Sequence, residues 1–82
     1  MSQDLTQAAS QIQDLLDQLK QCGVADNVAQ QQVATDIGTE AQKNQTMKKK
    51  LAKWGKSLAS ATVSDVVKGV VKLACNSAGI PL

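Results

Sequence analysis

The chain lacks the residue types on which most enzymes depend. Its 82 residues include no His, Arg, Tyr or Phe, and Trp54 is the single aromatic residue. His is the commonest general base and metal ligand, and Arg is the side chain that holds phosphate through two parallel hydrogen bonds. A chain of this size is also too small to enclose a typical substrate pocket of several hundred Å³. The composition predicts a non-enzymatic protein with no catalytic residues, no cofactor and no metal site.

Long hydrophobic runs and recognisable motifs are also absent. No stretch of about 20 apolar residues could cross a bilayer as a helix. The polar, acidic N-terminus does not resemble a signal peptide. Neither GxxxxGK[ST] nor GxGxxG occurs, so the sequence offers no common phosphate-binding loop.

The two cysteines, Cys22 and Cys75, occur without a CxxC pair and without a His that would complete a zinc site. A disulfide between them would require Cα atoms within about 7 Å of each other, which the sequence leaves open. We expect both thiols to be small buried groups in a reducing compartment. The expected location is the cytoplasm, with recruitment to the inner face of a membrane as an alternative.

Charge is divided unevenly along the chain. Residues 1–42 carry one lysine against six carboxylates, and residues 43–82 carry eight lysines against one carboxylate. The net charge of +2 therefore combines an acidic half at −5 with a basic half at +7. Such a division lets the halves attract each other inside a bundle, or steers a partner or an anionic surface.

Hydrophobic periodicity predicts one all-α domain over residues 1–82, a small bundle of about four helices at roughly 3–22, 26–43, 46–60 and 63–77. The first helix has the clearest pattern, and Gly23 follows its last apolar position as a natural stop. Its apolar face consists of Leu5, Ala8, Ala9, Ile12, Leu15, Leu16, Leu19 and Cys22.

The second predicted helix is weaker. Val33 and Ile37 are the only large apolar residues on its face, and Gly38 costs about 1 kcal/mol in helix propensity relative to Ala. Asp26 or Asn27 is the expected N-cap. We expect this helix to depend on its neighbours for stability.

The third and fourth helices are basic. Thr46 is the expected N-cap of the third helix, whose apolar stripe is Met47, Leu51, Trp54 and Leu58 and whose surface carries Lys48, Lys49, Lys50, Lys53 and Lys56. The fourth helix opens at Thr62 or Ser64, with Asp65 in its first turn. Its predicted face is Val63, Val66, Val67, Val70, Val71 and Ala74, with Leu73 at the edge. Because Val favours strands, a strand over 66–71 is the alternative.

Three segments resemble a known module: IQDLLDQL (12–19), VATDIGTEAQKNQTMKKKLAKWGKSL (33–58) and TVSDVVKGVVKLACNSAGIPL (62–82). They are similar to the small helical C-terminal domain that follows pentapeptide-repeat, nucleotide-binding or protease-like signalling regions in cyanobacterial proteins. That module has an I-x-x-N-P-T-L-K/R helix start, and residues 44–47 of this chain lack its proline. The resemblance implies an appended signalling, assembly or effector module and carries over no catalytic residues.

We therefore predict a non-enzymatic helical module for protein–protein interaction or self-assembly in a signalling or stress-response context. A homo-oligomer is expected, because an 82-residue chain with one aromatic has a thin core. The alternative is a membrane-active effector that binds or perturbs anionic bilayers through its basic and Val-rich C-terminal helices. We expect no nucleic-acid partner, since no Arg can read base edges. The candidate interaction residues are Trp54, Leu58, Val63, Val66, Val67, Val70, Val71, Lys48, Lys49 and Lys53.

Overall fold

The computed structural model describes residues 2–81, with side chains from Leu5 onward. Over this range the chain forms four α-helices and one 3₁₀ turn, and it contains no strand. The helices are α1 (Ser2–Gln21), α2 (Asp26–Lys43), α3 (Gln45–Ser57) and α4 (Asp65–Ser77), with the 3₁₀ turn at Leu58–Ser60 between α3 and α4. The predicted small all-α bundle is confirmed, and the strand alternative at 66–71 is wrong because those valines lie in α4.

Two helices end in the same way, with glycine in a left-handed conformation. Gly23 has φ +88° and Gly79 has φ +74°, a region that residues with a Cβ rarely adopt. After α1, the Val24 amide donates to the Leu19 carbonyl at 3.0 Å, which is the 6→1 hydrogen bond of a Schellman motif. The matching bond after α4 comes from the amide of Ile80, whose side chain is buried against the core. The predicted stop at Gly23 is confirmed.

The helix starts agree with the sequence prediction only in part. Ser64 caps α4, since its Oγ accepts from the Val67 amide at 3.3 Å. The α3 cap is Asn44 rather than the predicted Thr46, because Asn44 Oδ1 accepts from the amides of Thr46 and Met47 at 2.9 and 3.3 Å. The predicted α2 cap is also wrong.

At the start of α2, Ala25 occupies the capping position, without a side-chain hydrogen bond. Asp26 lies inside the first turn, where its carboxylate faces the positive end of the helix dipole. The same carboxylate lies 3.5 Å from Lys20 Nζ across the α1–α2 turn. The Asp26 side chain therefore supports the turn electrostatically instead of capping the helix.

Helix α2 lies at the centre of the bundle and contacts α1, α3 and α4, most extensively α4. Its buried positions are mostly small, namely Ala29, Val33, Ala34, Gly38 and Ala41. A Cβ added at Gly38 would stand 2.8 Å from both Cβ and Oγ of Ser77 on α4. The weak amphipathicity of α2 thus reflects a helix enclosed by neighbours on several sides, where small residues allow close backbone approach.

The buried face of α4 is narrower than the sequence predicts. Its core positions are Val67, Val70, Val71, Ala74 and Cys75. Val66 and Leu73 are instead 40% and 41% exposed. These two residues are seven positions apart, so they share a stripe of their own beside the buried one. The predicted inclusion of Val66 in the apolar face is wrong for this reason.

Candidate interaction groove

Four of the predicted interaction residues belong to the core of the chain itself. Leu58, Val67, Val70 and Val71 are each at most 4% exposed. Trp54 and Val63 are half-buried and pack against the same core. These side chains hold α3 and α4 to the bundle, so the folded chain does not present them as an open apolar surface.

The lysines of α3 lie on the surface, as does Val66 on α4, which is 40% exposed. Lys48, Lys49 and Lys53 are exposed, as are Lys50 and Lys56. Within the part of the chain whose side chains are described, none of them forms an ion pair, and the one ion pair joins Lys20 to Asp26. Helical spacing places Lys49, Lys50, Lys53 and Lys56 on one side of α3. We refer to these four residues as the lysine face.

The two cysteines differ in environment. Cys75 is fully buried, and its Sγ donates to the Leu51 carbonyl at 3.5 Å. Burial raises the pKa of the Cys75 thiol, because the thiolate is poorly solvated in an apolar site. Cys22 is exposed, which corrects the expectation that both thiols are buried, and neither residue forms a disulfide.

An open apolar groove of about 260 Å³ lies between α1 and α2. Helix α1 contributes Leu15, Gln18 and Leu19 to it, and Cys22 follows directly after the helix. Helix α2 contributes Gln32, Val33, Asp36 and Ile37. Leu15 is 47% exposed, although it is a large apolar residue in the middle of a regular helix. We refer to this feature as the α1–α2 groove.

The groove forms because the apolar face of α1 is broader than the surface that α2 covers. Leu5, Ile12 and Leu16 point into the bundle and are at most 3% exposed. Leu15 and Leu19 form a parallel stripe, and the opposite wall offers Val33 and Ile37 as its apolar side chains. These two side chains leave Leu15 47% exposed.

The charged residue in the groove wall is acidic. Asp36 lines it, and Glu40 is exposed one helical turn further along α2. Asp14 is exposed on α1, one turn before the lining residue Gln18. No lysine lines the groove. An apolar floor beside three carboxylates is suited to an apolar ligand that carries positive charge.

A second depression lies between α1 and α3 and contains Trp54. Its lining residues are Gln7, Ala8, Gln11, Met47, Lys50 and Trp54, around a volume of about 280 Å³. Met47, Lys50 and Trp54 follow helical spacing along α3. The half-buried apolar side chains of α3 thus lie directly beside its lysine face.

The side chains that the structure describes include no group of three or more His, Cys, Asp or Glu residues able to hold a metal ion. Within the same part of the chain, no helix has both the length and the apolar character needed to cross a membrane.

Comparisons with known proteins return no relatives. No family model matches the chain, no curated protein is similar to it, and no solved structure matches it. The resemblance to the cyanobacterial helical module therefore stays a prediction, and the function has to be inferred from this chain's own surfaces.

Helical periodicity alone does not predict the groove, because it places every apolar residue of α1 on one buried face. The numbers of apolar residues on the two helices do indicate it. The first helix carries eight apolar positions on that face, whereas the second offers only two large apolar residues, Val33 and Ile37, to cover them. The imbalance indicates that part of the α1 face is left uncovered.

Proposed function

We propose that this chain is a non-enzymatic helical module that binds a protein through the α1–α2 groove. The groove's half-exposed Leu15, beside Leu19 and Ile37, carries the proposal. An apolar floor with a polar rim on a small bundle is typical of a protein-binding surface. The partner is another protein or a second copy, and the signalling or stress-response context and the cytoplasmic location remain predictions from the sequence.

Site-specific photo-crosslinking tests this proposal. A photoreactive phenylalanine analogue replaces Gln18 in the groove of the full chain, which is expressed in its source cells and irradiated. A matched control carries the analogue at Val66, which is exposed on α4 and does not line the groove. We expect a discrete protein adduct from position 18 that is absent from position 66. If position 18 yields no adduct, the groove is not a protein-binding surface.

The lysine face supports a second candidate, peripheral binding to anionic membranes. Its lysines are exposed beside half-buried Trp54, and each lysine near an anionic surface contributes about 1 kcal/mol at low salt. Val67, Val70 and Val71 lie in the core, so their insertion would require the bundle to open. The test is Trp54 fluorescence with anionic and with neutral vesicles. A blue shift and leakage with anionic vesicles only would favour this candidate, and no change with either would remove it.

A further inference from the structure

We infer that the occupant of the α1–α2 groove is the lysine face of a second copy, so that the chain assembles head to tail. This inference rests on the proposed function, since it specifies the partner that the groove binds. The chain has the two required surfaces in different places: an acidic apolar groove on α1 and α2, and a basic face with apolar residues on α3.

The charges of the two surfaces are not neutralised by ion pairs within one molecule. The ion pair between Lys20 and Asp26 joins two residues of the acidic half. Among the described side chains, no ion pair connects the acidic half to the basic half. The carboxylates beside the groove and the ammonium groups of the lysine face therefore remain available to a partner.

Repulsion between carboxylates disfavours a symmetric pairing of two grooves. In such a dimer the same patch of each copy meets itself. Asp36 lies in the groove wall and Asp14 and Glu40 lie beside it, so a symmetric contact would place carboxylates against carboxylates. Like charges brought together at an interface are strongly unfavourable. The complementary surface on an identical copy is the lysine face.

The two surfaces are also similar in length. The apolar wall of the groove extends from Leu15 on α1 to Cys22 just beyond the end of that helix, and the apolar residues beside the lysine face extend from Met47 to Trp54 on α3. Each stretch covers seven residue steps, or about 10 Å for a helix. Half-exposed Leu15 of one copy can enter the depression that Met47 and Trp54 line on the next, with lysines reaching the carboxylates at the rim.

A head-to-tail contact leaves one free groove at one end of the assembly and one free lysine face at the other. Such contacts continue into a ring if the rotation closes and into a filament if it does not. We therefore expect species larger than a dimer at high concentration, and assembly that weakens as salt screens the charges.

The experiment uses two sets of substitutions that neutralise exposed charges with little change in shape. The groove variant is Asp14→Asn, Asp36→Asn and Glu40→Gln. The face variant is Lys49→Gln, Lys50→Gln and Lys53→Gln. Lys72→Gln, at an exposed lysine on α4, is the matched control. Circular dichroism establishes that each variant is folded, and sedimentation velocity at low salt measures assembly from micromolar to near-millimolar concentration.

We expect the wild type and Lys72→Gln to self-associate equally, and each triple variant to self-associate about tenfold more weakly. An equimolar mixture of the two variants should form a heterodimer that does not grow, because one intact groove meets one intact face. A wild type that stays monomeric, or a mixture that forms no heterodimer, overturns the head-to-tail inference. If the position 18 crosslink then captures a different protein in the source cells, the proposed function stands without self-assembly; if it captures nothing, both proposals fail.

Discussion

Because α2 and α4 are in close contact at Gly38 but not at Gly69, we expect alanine substitution to have opposite effects on stability at these two glycines. At Gly38, an added Cβ would lie 2.8 Å from Ser77 Cβ and 3.2 Å from the Ala74 carbonyl oxygen. At Gly69 in α4, an added Cβ would meet no atom within 4 Å. Both residues are in helices, where Ala is favoured over Gly by about 1 kcal/mol. The steric cost at Gly38 therefore decides whether alanine at this position raises or lowers the free energy of unfolding.

Overpacking of a tight contact costs about 1–3 kcal/mol. Ser77 Oγ can rotate away from the new methyl group, but Ser77 Cβ and the Ala74 carbonyl are fixed by the backbone of α4. After the gain of about 1 kcal/mol in helix propensity is subtracted, we expect Gly38→Ala to lower the free energy of unfolding by up to about 2 kcal/mol. We expect Gly69→Ala to raise it by about 0.5–1 kcal/mol.

Urea denaturation followed by far-ultraviolet circular dichroism measures both changes. Adding Ser77→Gly removes the Cβ and Oγ that the new methyl group would meet, so Gly38→Ala should cost less in that background, by about 1 kcal/mol. The Ala74 carbonyl remains close, so full recovery is not expected. Equal stabilisation by Gly38→Ala and Gly69→Ala would refute the close approach of α2 and α4.

Four further outcomes are expected. Val70→Asp places a charge at a fully buried position and should lower the free energy of unfolding by several kcal/mol, whereas Lys72→Gln should change it by less than about 0.5 kcal/mol; urea titrations compare them. Asn44→Ala removes the α3 cap and should cost about 1 kcal/mol in thermal or urea unfolding, and an unchanged stability would contradict the capping role. Maleimide should label Cys22 rapidly and Cys75 only on unfolding. Burial in the folded state raises the pKa of the Cys75 thiol, so the neutral thiol contributes to the free energy of unfolding at any pH below the ordinary thiol pKa. This contribution should decline as the pH rises from the ordinary pKa to the raised value. Cys75→Ala should make the free energy of unfolding less dependent on pH over that range.

The helices were predictable because their periodicity is local. The stripe at Met47, Leu51 and Leu58 and the stop at Gly23 follow from spacing and from the conformational freedom of glycine. The caps were less predictable, because Asn44 and Thr46 are both good capping residues and lie within one turn of each other. Which residue caps a helix depends on the path by which the chain enters it.

The groove and the position of α2 could not be derived from periodicity alone. A stripe of small residues predicts a weakly amphipathic helix. Here the small residues of α2 allow α4 and α3 to pack closely around it. The spacing of Leu15 predicts a core residue, yet its side chain is 47% exposed in the groove. Both outcomes depend on which helices become neighbours, and that information is distributed over the whole chain.

The small buried residues of α2 and α4 also affect how side-chain freedom is lost on folding. Alanine and glycine have no side-chain rotamers to restrict, and valine has few, whereas a buried methionine or lysine loses about 1.5–2 kcal/mol of rotamer freedom. Ala29, Ala34, Gly38, Ala41 and Ala74 therefore become buried with almost no loss of side-chain entropy. Enlarging any of these residues beyond alanine adds rotamers that must be fixed as well as atoms that must fit.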